Sequence, residues 1–282
     1  MSTFANPENI KALSLDLDGT TLAPGAVLSE RTIRAVKACQ QRGLRLIINT
    51  GRSIDGAEPF RAALGIEGLM VYCNGALVVD MPAGSILCAT LLDKEAADFC
   101  LDLSREMNLY YQVYFPGDAK EKQIKLMAEW AGPERESYFS HAKLRAELGD
   151  LKEALNQPGL KGCIKGMFLA EPEMLTVLRS KIEARFGKSV YLTQSFMTYL
   201  EVMDAKASKG QGLKFVMEHY SLKSEEVIAF GDEENDLPMF TAAGFSAAPS
   251  SGKDTVKAAA NIIIGSNAED GVAVFLEEFF GL

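Results

Sequence analysis

Ten residues near the start of the sequence show how the chain folds: Leu13-Ser-Leu-Asp-Leu-Asp-Gly-Thr-Thr-Leu22. Leucine recurs at every second position over Leu13–Leu17, which is the pattern of a half-buried β-strand. The Asp-Gly-Thr that follows is typical of a loop, so the strand is predicted to end there. Two carboxylates, Asp16 and Asp18, therefore lie at the end of a strand. A turn with two solvated aspartates would have the same sequence, so the rest of the chain must decide between the two interpretations.

Strands and helices are predicted to alternate on both sides of residues 81–195. The predicted strands are Leu13–Leu17, Leu44–Ile48, Leu69–Cys73, Val227–Phe230, Phe245–Ala247 and Asn261–Ile264. Helical segments lie between them, for example Ser29–Arg42 and Lys209–Tyr220. This alternation is typical of a parallel sheet with right-handed crossovers. We therefore expect an α/β fold with a Rossmann-like core.

The pattern changes over residues 81–195. A hairpin around Pro82 and an aromatic strand at Leu109–Phe115 are predicted, together with a charged helix at Asp118–Trp130. The aromatic residues of this region are expected to fill its core rather than to bind a ring. We therefore predict an inserted α+β cap domain at residues 81–195. The catalytic core then consists of residues 1–80 and 196–282.

Composition and charge exclude several classes of protein. The 282 residues carry a formal net charge of −9, which argues against a nucleic-acid partner or an anionic membrane surface. No run of about 18 apolar residues is present, and the first residues do not resemble a secretory signal. Five cysteines without a Cys-x-x-Cys pair indicate a reducing compartment. We expect a cytoplasmic monomer or homodimer that acts on a small molecule.

Three polar clusters follow predicted strands of the parallel sheet. They are Asp16 with Asp18, Thr50-Gly-Arg52, and Asp232–Asp236. Because ligands bind beyond the carboxyl ends of such strands, we expect the clusters to lie together along that edge of the sheet, its rim. Carboxylates gathered there would repel one another, and a divalent cation would relieve the repulsion. Oxygen ligands without a nearby histidine or thiolate favour Mg²⁺ over zinc.

Phosphoryl transfer is the chemistry that these residue types suit. Mg²⁺ held by carboxylates usually has phosphate as its other partner. A neighbouring carboxylate can attack phosphorus, and a second carboxyl group two residues further along can protonate the leaving oxygen and then activate water. The Thr50 hydroxyl, the Gly51 amide and the Lys209 ammonium are candidates to bind the transferring group.

With these segments in place, the sequence resembles the haloacid dehalogenase-like hydrolases, most closely the Cof-type phosphatases with an α/β (type II) cap. The resemblance covers nearly the whole chain. It is carried by Asp16-Leu-Asp-Gly-Thr-Thr-Leu22, Thr50-Gly-Arg52, Asn74-Gly-Ala76, Ser208-Lys-Gly210, Gly231-Asp-Glu-Glu-Asn-Asp236 and Asn267-Ala-Glu-Asp-Gly-Val272. Several motifs in this order are far more specific than any one of them.

The resemblance implies a role for each site residue. Asp16 would be the nucleophile that forms an aspartyl-phosphate, and Asp18 the general acid and base. The implied Mg²⁺ ligands are the Asp16 carboxylate, the Asp18 backbone carbonyl and Asp232, with Asp236 in support. The implied phosphate-binding residues are Thr50, Gly51, Lys209 and Asn235.

The sequence departs from the family pattern at three places. Asn49 precedes Thr50-Gly-Arg52 where the family usually has a small or apolar residue. Glu233 replaces a residue that is commonly small. The segment Phe245–Gly252, with its Pro249-Ser250 turn, stands where the family continues towards an Asn-Ala pair. We expect the changes to alter contacts around the site rather than its essential residues.

The leading hypothesis is a Mg²⁺-dependent phosphatase for a small phosphorylated metabolite, such as a sugar phosphate. A sugar phosphomutase is the main alternative, and it would need cap arginines that face the site and hold a second phosphate. The candidates are Arg105, Arg135, Arg145, Arg179 and Arg185. A non-catalytic ligand-binding regulator is a third hypothesis, and the intact acid pair argues against it.

Overall fold

A parallel sheet of five strands lies at the centre of the core. The computed structural model describes residues 6–117, 124–142, 144–157, 162–194 and 196–282. The strands of this sheet are β1 (Ala12–Leu15), β2 (Arg45–Ile48), β12 (Val227–Phe230), β13 (Phe245–Pro249) and β14 (Ile262–Ile264). They lie in the order β14-β13-β12-β1-β2, and every neighbouring pair is parallel. The predicted Rossmann-like class is confirmed.

Helices cover both faces of this sheet. They are α1 (Glu30–Gln41), α2 (Ile54–Leu64), α7 (Lys209–His219), α8 (Leu237–Ala242), α9 (Asp254–Ala259) and α10 (Gly271–Phe280). Leu13 and Leu15 of β1 belong to the hydrophobic cluster that contains residues of α1 and α10, whereas Ala12 belongs to the cluster that contains residues of α7 and α8. Each buried leucine contributes about 1.5–3 kcal/mol. Alternate side chains of β1 thus pack against two different layers of helices. The prediction of a half-buried strand, with one face in solvent, was wrong.

The third predicted strand of the core lies in a smaller sheet. β3 (Gly68–Tyr72) meets β2 through a single parallel bridge, between Asn49 and Val71. Along its length it pairs in the antiparallel direction with β4 (Leu77–Met81), which pairs with β5 (Ser85–Ala89). β3 and β4 both contact α7. The predicted hairpin around Pro82 is therefore present, and it packs with the core.

A second layer of sheet and helices forms the cap region. Its strands are β6 (Tyr110–Phe115), β7 (Lys125–Ala128), β8 (Glu147–Leu148), β9 (Lys165–Leu169), β10 (Val190–Thr193) and β11 (Tyr199–Asp204), in the order β10-β11-β9-β6-β7-β8. Its helices are α3 (Lys94–Met107), α4 (Pro133–Ala142), α5 (Leu151–Asn156) and α6 (Pro172–Phe186). All six residues of β6 are buried: Tyr111 and Phe115 belong to the hydrophobic cluster of the cap, as predicted, whereas Tyr110 and Tyr114 belong to the cluster that also contains residues of the catalytic core.

The helix predicted at Asp118–Trp130 is wrong where the structure describes it. Residues 118–123 lie outside the described residues, and Lys125–Ala128 form β7, which pairs with β6. Leu126 and Met127, neighbours in sequence, are both buried, and they belong to different hydrophobic clusters. Burial of successive residues on opposite sides is the geometry of a strand that is covered on both faces.

The strand pairing favours domain boundaries that differ from the predicted ones. A boundary at 195/196 would separate β10 from β11, although Val190–Thr193 pairs along its whole length with Glu201–Asp204. A boundary at 80/81 would cut β4, which pairs with both β3 and β5. We therefore propose that the cap begins after β5 and ends with β11.

Gly75 is held against the backbone that precedes α7. Its φ is +92°, and a Cβ at this position would lie 2.0 Å from the Ser208 carbonyl oxygen. We expect Gly75→Ala to lower the free energy of unfolding, measured by urea titration, by about 3 kcal/mol or more, because both backbone strain and a clash are introduced. Gly25→Ala is the matched control, since Gly25 has a φ of +77° and nothing within 4 Å of a new Cβ. Equal losses for the two variants would contradict the close approach.

Candidate active site

The three polar clusters meet at the carboxyl ends of the parallel strands. Asp16 follows β1, Thr50 follows β2 after Asn49, and Asp232 follows β12 after Gly231. In the described part of the chain, the carboxylates of Asp16, Asp232 and Asp236 offer oxygens that all lie within 4.8 Å of one another. All three residues are buried. The sheet therefore brings together carboxylates that are more than 200 residues apart in sequence.

Lys209 stands between two of these carboxylates. It is the first residue of α7, and its Nζ lies 2.6 Å from Asp16 Oδ1 and 2.6 Å from Asp236 Oδ1. The side chain is only 1% exposed. Burial alone would lower the pKa of Lys209, but the two carboxylates raise it above its usual value. The ammonium therefore stays charged, and it fixes the position of Asp16.

Asn49 connects this lysine to the sheet. The Asn49 Nδ2 donates a hydrogen bond to the Lys209 backbone carbonyl at 2.9 Å, and its Oδ1 is buried with no hydrogen-bond partner in the part of the chain described. The departure from the family pattern at this position thus attaches the end of β2 to the first turn of α7.

Burial and the neighbouring carboxylates raise the pKa of two members of the cluster. Burial is the largest cause for Asp16, whose pKa lies well above its usual value although Lys209 opposes the shift and Asp236 adds to it. Burial also raises the pKa of Asp232 to about 6, even though the Thr20 hydroxyl donates a hydrogen bond to Asp232 Oδ1 at 2.6 Å. Three carboxylates and one lysine leave a buried cluster that would gain from a cation.

The donor set of this cluster fits Mg²⁺. All the candidate ligand atoms are carboxylate oxygens, which Mg²⁺ prefers. Asp236 uses both oxygens within the protein: Oδ1 accepts from Lys209, and Oδ2 accepts from the Asp232 and Glu233 amides at 2.9 and 3.0 Å. For Asp16 and Asp232, by contrast, Oδ2 accepts no hydrogen bond from any described residue. Asp16 and Asp232 are therefore better suited to bind the cation directly, and Asp236 would support the site through its hydrogen bonds.

Asp18 faces away from the buried cluster. Its carboxylate accepts two hydrogen bonds from Arg52, from Nε at 2.7 Å and from Nη2 at 2.6 Å, and its side chain is 55% exposed. Arg52 in turn donates from Nη1 to the Gly56 carbonyl and lies over the Phe60 ring. Both aspartates lie beyond the end of β1, where the chain leaves the regular alternation of a strand, and Asp16 is buried while Asp18 is exposed. Arg52 is thus held in an ion pair with Asp18 at the edge of the site.

The predicted phosphate-binding residues surround Gly51. The Thr50 side chain is fully buried, and its Oγ1 accepts a hydrogen bond from the Arg52 amide at 3.1 Å. A Cβ at Gly51 would lie 2.9 Å from Asn74 Oδ1, so only glycine fits there without displacement. Asn235 Nδ2 donates to the same Asn74 Oδ1 at 2.9 Å. Asn74 thus connects two segments that the sequence predicted to bind phosphate.

A cavity of about 620 Å³ opens over this rim. Asp16, Asp18, Gly51, Lys209 and Asn235 line its core side. Its cap side is lined by Tyr138, Lys165, Arg179, Phe196, Tyr199 and Glu201, among others. Of these, sequence reasoning named only Arg179 in relation to the site. Glu201 carried one overlooked signal, since it is a charged residue between two apolar pairs, Tyr199-Leu200 and Val202-Met203.

The segment with the Pro249-Ser250 turn also contacts the site. The Lys253 amide donates to the Asp232 carbonyl at 3.0 Å, and the Lys253 ammonium lies 2.8 Å from Glu233 Oε2. The unusual Glu233 is therefore paired at the edge of the cavity, where it does not enter the carboxylate cluster.

No helix in the described ranges is long and apolar enough to cross a membrane.

Comparison with known proteins agrees with this geometry. Residues 13–276 match the family described as haloacid dehalogenase-like hydrolase. The chain is 30% identical over 281 residues to a putative phosphatase of Haemophilus influenzae, covering 96% of this chain and 97% of the relative. It is 28% identical over 279 residues to the pyridoxal phosphate phosphatase YbhA of Escherichia coli, covering 94% and 97%.

Solved structures give the same result. The crystal structure of a haloacid dehalogenase-like hydrolase from Bacteroides thetaiotaomicron superimposes with a TM-score of 0.84 at 25% identity, covering 96% of this chain and 100% of that one. A Thermotoga maritima protein superimposes with a TM-score of 0.82 at 27% identity, covering 95% and 97%. The similarity therefore extends over both the core and the cap region.

Proposed function

Since the chain belongs to the haloacid dehalogenase-like hydrolases and is a phosphatase, we propose that it hydrolyses a small phosphorylated metabolite with Mg²⁺ as cofactor. A sugar phosphate or a similar phosphomonoester is the proposed substrate class. The observation that carries the proposal is the buried cluster of Asp16, Asp232 and Asp236 around Lys209. The Escherichia coli relative is named for pyridoxal phosphate and a Bacillus subtilis relative, YwtE, for 5-amino-6-(5-phospho-D-ribitylamino)uracil, so the relatives support the reaction rather than one substrate.

The proposed reaction proceeds in two steps on Asp16. An oxygen of the Asp16 carboxylate forms a bond to phosphorus, the bond between phosphorus and the leaving oxygen breaks, and Asp18 gives that oxygen a proton. Water then attacks the phosphorus of the aspartyl-phosphate and gives a proton to Asp18, which releases inorganic phosphate and restores Asp16. Mg²⁺, held by Asp16, the Asp18 carbonyl and Asp232, would neutralise charge on the phosphoryl oxygens.

The proposed role of Asp18 requires its ion pair with Arg52 to open at least in part. Both Asp18 oxygens accept hydrogen bonds from Arg52. For Asp18 to reach a leaving oxygen, at least one of these bonds has to open when substrate enters the cavity. The exposed side chain of Asp18 supports such a change, because water can replace a bond at the surface at little cost.

Phosphate release from a panel of phosphorylated metabolites, with and without Mg²⁺, is the experiment that tests the proposal. We expect inorganic phosphate to be released from at least one small phosphomonoester in the presence of Mg²⁺. Isomer formation without phosphate release would instead support the phosphomutase. Tight binding of a metabolite with no turnover would support the regulator.

The five cysteines are free thiols, which supports a cytoplasmic location as part of the proposal.

The phosphomutase alternative depends on arginines that face the cavity. Of the five candidates, Arg179 lines it. The other four have partners elsewhere: Arg105 with Glu129, Arg135 with the Ala146 carbonyl, Arg145 with Glu136, and Arg185 with Glu95. Among the described residues, Arg179 makes two long hydrogen bonds, both from Nη1 and both 3.4 Å, to Glu183 and to the Leu192 carbonyl. Its guanidinium is thus available for a second anionic group of a substrate.

We expect Arg179→Met to change substrate preference. The kcat/KM for a sugar bisphosphate should fall about tenfold, whereas the value for the matching monophosphate should stay within about twofold, because only the bisphosphate loses a charged hydrogen bond. Arg185→Met is the control, since Arg185 pairs with Glu95 on an exposed surface. Equal losses for the two substrates would show that Arg179 does not discriminate between them.

A further inference from the structure

A buried ion pair of the cap reaches the catalytic rim through two asparagines. We propose that Glu201, with Lys165, fixes the direction of the Asn74 and Asn235 side-chain amides, so that Asn235 presents its NH₂ group to the phosphoryl group of the substrate. Glu201 and Lys165 would be positioning residues, since they act through Asn74 and Asn235. The inference rests on the proposed phosphatase function, and it adds residues that no motif of the catalytic core contains.

The ion pair lies inside the protein. Lys165 begins β9 and Glu201 lies in β11, the neighbouring strand. The Lys165 Nζ lies 3.1 Å from Glu201 Oε1, and each side chain is 4% exposed. Burial opposes the charge on Lys165, but Glu201 raises its pKa above the usual value, and the ammonium lies over the Tyr114 ring. Burying two charges is costly, so such a pair contributes little net stability, and its role is better sought in its contacts.

The contacts of Glu201 lead to the catalytic core. Glu201 Oε2 accepts a hydrogen bond from Asn74 Nδ2 at 2.9 Å. Asn74 Oδ1 then accepts from Asn235 Nδ2, also at 2.9 Å. Asn74 and Glu201 are both nearly fully buried, so water does not compete for these bonds. A continuous path of hydrogen bonds therefore joins the cap sheet to the loop that carries Asp232 and Asp236.

The chemistry of a carboxylate gives this path one direction. An ionised carboxylate accepts hydrogen bonds and cannot donate them, whereas an amide does both. Beside Glu201, Asn74 must therefore present its NH₂ end, which leaves its carbonyl oxygen for Asn235. Asn235 in turn must present its NH₂ end to Asn74. If Asn74 were reversed, its oxygen would face the Glu201 carboxylate, and two acceptors would repel each other.

The direction matters because Asn235 lines the cavity together with Asp16 and Lys209. Its amide nitrogen carries two N–H groups, and one of them is used by Asn74. Its Oδ1 is buried without a partner among the residues that the structure describes. The second N–H is therefore the polar group that can meet a phosphoryl oxygen. The reverse orientation would place an oxygen there, and two acceptors would repel each other.

The backbone around Asn74 holds the amide in place. Cys73, Asn74 and Gly75 have φ values of 49°, 55° and 92°, so three successive residues lie in the left-handed region. Non-glycine residues adopt this conformation at a cost in free energy, which the surrounding structure must offset. The strained turn places the Asn74 side chain beneath Gly51 and within reach of both Glu201 and Asn235.

Glu201→Gln tests the inference, because glutamine keeps the shape and loses the fixed direction. We expect kcat/KM for a phosphomonoester to fall about tenfold and the inhibition constant of inorganic phosphate to rise by a similar factor. The unfolding midpoint in urea should fall, because Lys165 stays buried without its countercharge, so the kinetics are measured on protein that is shown to be folded. Glu147→Gln is the matched control, since Glu147 is an exposed residue of the same sheet outside the cavity lining. Wild-type kinetics for Glu201→Gln would overturn the inference.

A second variant separates direction from packing. In Asn74→Asp/Glu201→Gln, the carboxylate moves one position along the path. The introduced glutamine amide donates to this new carboxylate, whose other oxygen accepts from Asn235 again. We expect this double variant to recover most of the activity and phosphate affinity lost in Glu201→Gln. No recovery in a folded double variant would overturn the inference. If the wild-type protein released no phosphate from any ester, the proposed function itself would fail, and the two failures are thus distinguishable.

Discussion

Asn in place of Asp16 should reduce kcat by a factor of about 10⁴ or more. An amide oxygen cannot form the aspartyl-phosphate, and loss of an enzymatic nucleophile typically costs about 10⁴–10⁶ in rate. The protein should remain folded, because Asn offers the same oxygen to Lys209 and removes one of three crowded carboxylates. The measurement is the release of inorganic phosphate from the best substrate, together with a urea titration.

The same experiment includes a control and a contradicting result. Asp102→Asn, an identical substitution at an exposed position of α3, should leave kcat unchanged. The free energy of unfolding of Asp16→Asn should be equal to or above that of the wild-type protein, since burial and the neighbouring carboxylates raise the pKa of Asp16. If purified Asp16→Asn kept more than about one-tenth of the wild-type kcat, Asp16 would not be the nucleophile.

Removal of Mg²⁺ with a chelator should lower turnover by a factor of about 10² or more, and added Mg²⁺ should restore it. The physical reason is the excess of buried carboxylates over cations around Lys209, which leaves negative charge where an anionic phosphoryl group must bind. Mg²⁺ should also stabilise the fold, by about 2.7 kcal/mol at a concentration 100 times its Kd. Both effects are measured on the full chain, by phosphate release and by thermal unfolding.

Asp232→Asn gives the matched variant for the metal. Asp232 keeps one oxygen without a hydrogen bond from the described residues, so its loss should weaken Mg²⁺ binding and reduce the thermal shift. Asp254→Asn, on the exposed first turn of α9, should bind Mg²⁺ as the wild-type protein does. Full activity in the presence of chelator, with no thermal shift on addition of Mg²⁺, would contradict the proposed cofactor.

Sequence patterns predicted the parallel core well because its strands follow one another with helices between them. Leu13–Leu17 indicated a strand through alternation, and the Asp-Gly-Thr after it indicated a loop. The same pattern could not show that β1 is buried on both faces. That property depends on helices that follow β1 and on others more than 190 residues further along the chain. Local periodicity contains no information on what covers the second face.

The cap was predicted less well, and for a related reason. β7 was missed because Lys125–Ala128 is short and follows a charged segment that favoured a helix. The place of β10 and β11 in the cap sheet depends on pairing between β11 and β9, which are 30 residues apart in sequence. The contact between Lys165 and Glu201 spans 36 residues and has no characteristic spacing. Motifs indicated the candidate catalytic residues, and only the structure shows which side chains contact them.

The chain crosses between core and cap twice, and both crossings are short. Residues 90–93 lead from β5 to α3, and residues 205–208 lead from β11 to α7. Hydrogen bonds hold both: the Leu92 amide donates to the Cys163 carbonyl, and the Ala205 amide donates to the Ser189 carbonyl. We expect two short links to limit the motion of the cap to rotation about one hinge axis, through a small angle. We therefore expect a free metabolite to enter the cavity more readily than a phosphate group on the surface of a folded protein.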